Sequence, residues 1–142
     1  IAIGTGQMEM HGKQVAILAF GSMLAAAEVV GRTLGASVAN MRFIKPLDEK
    51  LIIDLAQNHE LIVTLEENSV QGGAGSAINE VLAANAISIP IINIGIPDDF
   101  IEQGTREECL EQCGLGVDGI IASIQKHPVM NTCHPAQKTI VF

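Results

Sequence analysis

The stretch Leu61-Ile62-Val63-Thr64-Leu65-Glu66-Glu67-Asn68-Ser69-Val70-Gln71-Gly72-Gly73-Ala74-Gly75-Ser76-Ala77-Ile78-Asn79-Glu80 decides how this chain is read. Leu61 to Leu65 has the pattern of a buried strand. It runs into two carboxylates and an amide, Glu66, Glu67 and Asn68, then into a turn carrying Gly72, Gly73 and Gly75. Ser76 and the apolar positions Ala77, Ile78, Val81 and Leu82 then predict a helix. In an α/β protein such polar residues stand at the carboxyl end of a strand, where open sheets hold ligands or partners. Glycines let backbone approach a neighbour closely, and a helix start offers free N–H groups. The corner is therefore expected to meet something.

The same alternation extends in both directions. Val15-Ala16-Ile17-Leu18-Ala19-Phe20 is a continuous apolar run, as a strand buried on both faces would be. Ser22 is placed to cap the next helix, Met23, Ala27, Val30 and Leu34 share its inner face, and Gly35 closes it. Ala36 to Phe43 supplies a second, less regular strand. Asp48, after Pro46, is the expected N-cap of a helix presenting Leu51, Ile52 and Leu55. Ile89 to Ile94 reads as a fourth strand, with Pro90 confined to its start or edge. Thr105-Arg106-Glu107-Glu108 has capping-box spacing. A last helix carries Val117, Ile120, Ile121 and Ile124 and stops before Pro128.

Strands and helices alternating in this way predict a mostly parallel sheet covered by helices on both faces. Right-handed crossovers bring the strand ends near Gly21, Pro46, Glu66 and Gly95 to one rim. The domain is read as residues 15–127. Residues 1–14, with Gly4, Gly6 and Gly12 and no sustained period, are read as a linker or arm, and 128–142 as a tail that is disordered or packs on a neighbour.

Composition narrows the function. The 142 residues are 48% hydrophobic and 17% charged, a globular balance. Only 3% are aromatic, with no Trp or Tyr, so the core falls to Ile, Val, Leu and Ala, and base-stacking platforms are lacking. A net charge of −8 disfavours binding to phosphate backbones. No apolar run reaches the length of a membrane span, and Ile1 to Lys13 lacks a signal-peptide core. The absence of an initiator Met fits a fragment of a longer protein. Three cysteines are too few for a disulfide framework; Cys109 and Cys113 lack zinc spacing with Cys133-His134, so reduced thiols and a cytoplasmic setting are expected.

No catalytic centre can be assembled from these residues. Gly73-Ala74-Gly75-Ser76-Ala77-Ile78 only partly matches a dinucleotide fingerprint, because Ile78 replaces the third glycine and no acidic residue ends the next strand. The alternative is that these glycines permit close helix–strand or domain–domain packing. There is no phosphate loop, nucleophile elbow or His-Glu-x-x-His. His11, His59, His127 and His134 read as solvated surface residues, with His59 favourably placed at a helix C-terminus. Glu66 and Glu67 are candidates for an acid–base pair, but adjacent residues in extended chain point to opposite sides and need not share one proton-transfer site, so a solvated or interface-capping role is expected. One of them is expected to accept hydrogen bonds from N–H groups at the glycine turn or across an interface. Arg42 and Lys45 are the cationic counterpart, either as an exposed pair or as a salt bridge to another domain. Asp98 and Phe100, in the turn after the fourth strand, complete the candidate interface or anion-site set.

Four blocks in order carry a family resemblance: Met41-Arg42-Phe43-Ile44-Lys45-Pro46-Leu47-Asp48; Glu66-Glu67-Asn68 with Gly72 to Ser76; Asn79-Glu80-Val81-Leu82; and Asn93-Ile94-Gly95-Ile96-Pro97-Asp98 with Phe100-Ile101 and Gly104-Thr105. From about Ile3 to Lys126 the chain resembles the carboxy-terminal domain of 1-deoxy-D-xylulose-5-phosphate synthases and, more widely, the transketolase C-terminal domain. The resemblance implies a three-layer α/β/α sandwich with a mostly parallel sheet of about five strands, one antiparallel. It implies a parent that uses thiamine diphosphate and Mg²⁺ to join a two-carbon unit from pyruvate to glyceraldehyde 3-phosphate, with release of CO₂. It also implies a homodimeric parent whose cofactor and catalytic groups lie in other domains, so that this chain is inactive alone. The partners are then those domains and a second subunit, with neither nucleic acid nor membrane. Two alternatives stay open: a regulatory module binding an anion at Gly73 to Ser76, and the corresponding domain of another thiamine enzyme, such as a 2-oxoacid dehydrogenase β subunit.

Overall fold

Val15–Ala19 is apolar throughout and all of its residues are buried, which requires strands on both sides and helices on both faces. The computed structural model describes residues 3–42, 46–66, 73–95 and 116–130. Within them β1 (Gln7–Met10), β2 (Val15–Ala19), β3 (Ser37–Asn40), β4 (Leu61–Leu65) and β5 (Ile91–Ile94) form one sheet in the order β1-β3-β2-β4-β5. β1 runs antiparallel to β3, and the other neighbours are parallel. The helices are α1 (Leu24–Leu34), α2 (Glu49–Asn58), α3 (Ala74–Ala84) and α4 (Val117–Gln125).

Strand alternation sorts the core into two halves. Val15, Ile17, Ala19, Val38, Leu61, Val63 and Leu65 pack with Met23, with Ala27 and Val30 of α1, and with Ile120 and Ile124 of α4. Ala16, Leu18, Phe20, Ala39, Met41 and Ile62 pack with Ile52, Leu55 and Ala56 of α2 and with Ala74, Ile78, Val81 and Leu82 of α3. The result is a three-layer α/β/α sandwich, as the resemblance implied. The chain steps from β2 to β3 on one side, then crosses back to β4 on the other. The strand order therefore reverses between β2 and β4, and Phe20 and Glu66 stand at the carboxyl ends of those two strands.

The helix boundaries follow local chemistry. Asp48 caps α2 as expected: one carboxylate oxygen accepts the Leu51 N–H at 3.0 Å and the other accepts the Gly6 N–H at 2.9 Å. The cap thus also ties the chain entering β1 to α2. Gly35 ends α1 in the left-handed region, φ 69°, with its N–H on the Gly31 carbonyl. Ser22 is not the cap of α1: a 3₁₀ turn, Gly21–Met23, leads straight into the helix, and Met23 stands at the N-cap without a side-chain bond.

Other expectations also change. Residues 1–14, read as a linker or arm, contain β1, whose four residues are broken by a register shift between Met8 and Met10. A strand that short and irregular carries no legible period. Of residues 128–142, read as a tail that is disordered or packs on a neighbour, only 128–130 are described; there Val129 and Met130 pack against the α1–α4 core and the Val129 carbonyl accepts from the Gln14 side chain at 3.3 Å. Pro90 stands just before β5, an edge strand among the described residues, and its carbonyl accepts the Ile62 N–H at 3.0 Å. The capping box at Thr105 and the three cysteines lie outside the described residues.

Asp48→Ala removes the α2 cap and the Gly6 anchor together and should cost about 1–2 kcal/mol. Chemical denaturation reads the effect, and an unchanged midpoint with an unchanged slope would contradict the assignment.

Candidate docking rim at the carboxyl end of the sheet

The side chains of Ile62, Thr64 and Glu66 follow one another on the α3 side of β4, because strand positions alternate between faces. The glutamate continues that series past the strand end and is only 1% exposed. Its carboxylate accepts the Ala74 N–H at 2.8 Å through Oε1 and the Gly75 N–H at 2.7 Å through Oε2. Its own N–H donates to the Ile94 carbonyl at 3.1 Å, which extends the β4–β5 ladder. The N-cap of α3 is Gly73, which has no side chain to offer, so the cap comes from the neighbouring strand. Charge-assisted bonds of this kind contribute about 1.5–3 kcal/mol each, and a negative charge at a helix start adds roughly 0.3–1 kcal/mol.

Gly75 is present for contact distance. Thr64 and Asn93 are register partners on β4 and β5, and the Thr64 hydroxyl donates to Asn93 Oδ1 at 2.7 Å. A Cβ on Gly75 would lie 2.7 Å from Asn93 Oδ1 and 2.8 Å from Thr64 Oγ1. The partial dinucleotide fingerprint is thus a helix seated tightly on a polar strand pair. Thr64 and Asn93 were missed as site residues. Aligning the two strands one against the other would have paired them.

Of the expected site residues, the structure brings Glu66, Gly73 and Gly75 together. Ser76 lies in the first turn of α3. Arg42 follows Met41, whose N–H continues the β2–β3 ladder onto the Ala19 carbonyl, so it stands at the end of β3 on the same rim. Its backbone is left-handed, φ 59°, and its guanidinium Nη2 donates to the Gln7 side-chain carbonyl. Lys45, Glu67, Asn68, Gly72, Asp98 and Phe100 lie outside the described residues.

The anion-site reading meets an obstacle here. A phosphate or diphosphate at the start of α3 would need the Ala74 and Gly75 N–H groups and would face a buried carboxylate that already holds them. The residues described do not fit thiamine diphosphate at this corner. Among the described residues, no group of three or more His, Cys, Asp or Glu is placed to hold a metal ion, and no helix is long and apolar enough to cross a membrane.

The opposite rim differs. A cavity of about 310 Å³ is lined there by Met8, His11, Ser37, Asp54, Asn58 and His59 among others. His59 was expected to be solvated, but it bridges two elements. Its Nδ1 donates to the Leu55 carbonyl at 2.8 Å, and its Nε2 lies 2.8 Å from the Ser37 hydroxyl. Ser37 Oγ in turn accepts the Gly12 N–H at 2.9 Å. These polar groups hold one another and brace the start of β3.

Comparison with known proteins supplies the family. The sequence profile described as "Transketolase, C-terminal domain" matches residues 4–120. The chain belongs to the transketolase C-terminal domain family. This domain is 57% identical over 122 residues to a 1-deoxy-D-xylulose-5-phosphate synthase of Methylococcus capsulatus, covering 86% of the chain and 19% of that enzyme. The synthase of an Enterobacter strain is 49% identical over 123 residues, covering 87% of the chain and 20% of that enzyme. The transketolase C-terminal domain described here therefore spans about a fifth of the length of the curated relatives it matches. A solved structure titled "Split gene transketolase, inactive beta4 tetramer" superposes with a TM-score of 0.82 at 36% identity, over 89% of this chain and 43% of that one.

Two substitutions check the rim. Gly75→Ala forces Cβ into the Thr64–Asn93 pair and should destabilise by about 1–3 kcal/mol. Glu66→Ala strips the cap from α3 and leaves two buried N–H groups bare, at about 2–4 kcal/mol. Urea denaturation measures both, and a wild-type midpoint for either would refute the corresponding contact.

Proposed function

We propose that this chain is the C-terminal structural and interaction domain of a 1-deoxy-D-xylulose-5-phosphate synthase, and that it transforms no substrate by itself. The observation that carries the reading is the identity of 57% to such a synthase over 86% of this chain. The rim adds physical support. Its described acid, Glu66, is engaged in holding a helix, which supports reading the rim as a polar edge suited to contact.

In this reading the parent condenses pyruvate with glyceraldehyde 3-phosphate to give 1-deoxy-D-xylulose 5-phosphate and CO₂. Thiamine diphosphate, held with Mg²⁺ by the parent's other domains, supplies the electron sink for decarboxylation. The work of this domain is positional: its carboxyl-end rim packs against the remainder of the chain or a second subunit in a cytoplasmic homodimer. The entry of the chain supports that placement. β1 is antiparallel to β3 with Gln7 opposite Asn40, so residues ahead of Gln7 approach from the same rim. A 2-oxoacid dehydrogenase β subunit is disfavoured by the synthase relatives at 46–57% identity. The regulatory-anion alternative lacks free donors at Ala74 and Gly75.

Two measurements test the proposal. The purified chain, supplied with thiamine diphosphate, Mg²⁺ and both substrates, should release no CO₂ above blank; turnover with contaminating synthase excluded contradicts it. In the complete enzyme, amide exchange at Gly21–Met23 and at Leu47 and Asp48 should be at least about tenfold slower than in the isolated chain, since a buried interface suppresses local opening. Equal rates would place the rim in solvent.

A further inference from the structure

The amino-end rim holds a hydroxyl with one hydrogen and two acceptors in reach. Ser37 Oγ lies 2.8 Å from His59 Nε2 and 3.3 Å from the Gly12 carbonyl oxygen, and it accepts the Gly12 N–H at 2.9 Å. A serine has a single O–H, so it serves one of those acceptors at a time. His59 decides which. The Leu55 carbonyl can only accept, so His59 Nδ1, 2.8 Å away, carries a hydrogen. In the neutral ring Nε2 is then a bare lone pair, and the Ser37 hydroxyl donates to it.

A proton taken from solvent onto Nε2 reverses that bond. Nε2–H donates to Oγ, whose lone pairs are then filled by His59 and by the Gly12 N–H, and the hydroxyl hydrogen turns to the Gly12 carbonyl. The charged joint keeps each contact of the neutral one, with one reversed in direction, and adds the bond to Gly12. The backbone there is held in place to receive it. A Cβ on Gly12 would lie 2.2 Å from the Gly35 carbonyl oxygen, and the Lys13 N–H donates to that same oxygen at 2.9 Å. His59 is half-buried and lines the cavity of about 310 Å³, which leaves a path for the proton.

We infer that Ser37 and His59 form a proton-operated latch: protonation of His59 turns the Ser37 hydroxyl onto the Gly12 carbonyl and closes the β1–β2 turn on the start of β3. Imidazole is the side chain suited to such a change in mildly acidic solution. The other titratable groups at the cavity are Asp54 from α2 and His11 from the β1–β2 turn; β3 faces it with Ser37 and β1 with Met8, both neutral. Lys13 and Glu60 are the charged neighbours of Gly12 and His59 in sequence. The latch stands apart from the docking role proposed for the carboxyl-end rim and does not depend on it.

The test is an NMR titration of the wild-type chain that follows the His59 ring nitrogens and the Gly12 carbonyl carbon. At high pH the ring should carry its hydrogen on Nδ1, with Nε2 bare. As pH falls, the Gly12 carbonyl carbon should shift downfield with the midpoint of the His59 ring. His11→Gln should keep that shift, because His11 is not the group that drives it. Ser37→Ala should lose the shift while His59 still titrates. The opposite neutral tautomer overturns the inference, as does a Gly12 carbonyl that stays put while His59 titrates. Loss of the shift in His11→Gln, or its survival in a folded Ser37→Ala, overturns it equally. The tautomer and the His11→Gln titration leave Ser37 intact, so they decide the matter should Ser37→Ala fail to fold.

Discussion

The carboxylate of Glu66 is the constraint on which the carboxyl-end rim depends. It belongs to a strand yet closes a helix, so β4 and α3 are locked at a fixed separation by two short bonds to Ala74 and Gly75. Once that distance is set, the second residue of α3 must be glycine, because Thr64 and Asn93 fill the space beneath it. Register then follows: the Glu66 N–H on Ile94 and the Thr64–Asn93 pair align β4 with β5. A buried anion without these bonds would be intolerable in this interior. With them both carboxylate oxygens are satisfied.

The fold was legible wherever one residue pattern had one physical meaning. Val15 to Phe20 is too apolar for anything but a strand buried on both faces, and β2 is central. Asp48 and Gly35 punctuate helices as their chemistry predicts. Legibility failed where tertiary pairing outweighs local pattern. β1 is stabilised by a ladder to β3 that no local period announces, and the Ser22 cap gave way to a 3₁₀ turn. His59 read as solvated because its partner Ser37 is distant in sequence.

The candidate site was legible in part. Acceptance of glycine-turn N–H groups by one of the two adjacent glutamates was anticipated, and Glu66 does so. Which glutamate it would be depended on where the strand ended, since a shift of one residue swaps the two faces. That the glycines serve packing could be weighed from sequence; that Thr64 and Asn93 are what they pack on could not, without the β4–β5 register. The corner thus looks like a ligand site at the level of motif and like an internal strand–helix joint at the level of atoms. The Ala74 and Gly75 N–H donors that an anion at the start of α3 would need are spent on Glu66.

The most direct measurement is residue-resolved amide hydrogen exchange of the wild-type chain at Ala74 and Gly75. First-turn helix amides usually exchange fast because they lack intrahelical acceptors. With the Glu66 carboxylate bonded as described, both should exchange only through opening of the whole domain, at rates matching the amides of central β2. Fast exchange at these two positions while β2 stays protected would contradict the account, for it would leave α3 uncapped and the rim free to take an anion instead.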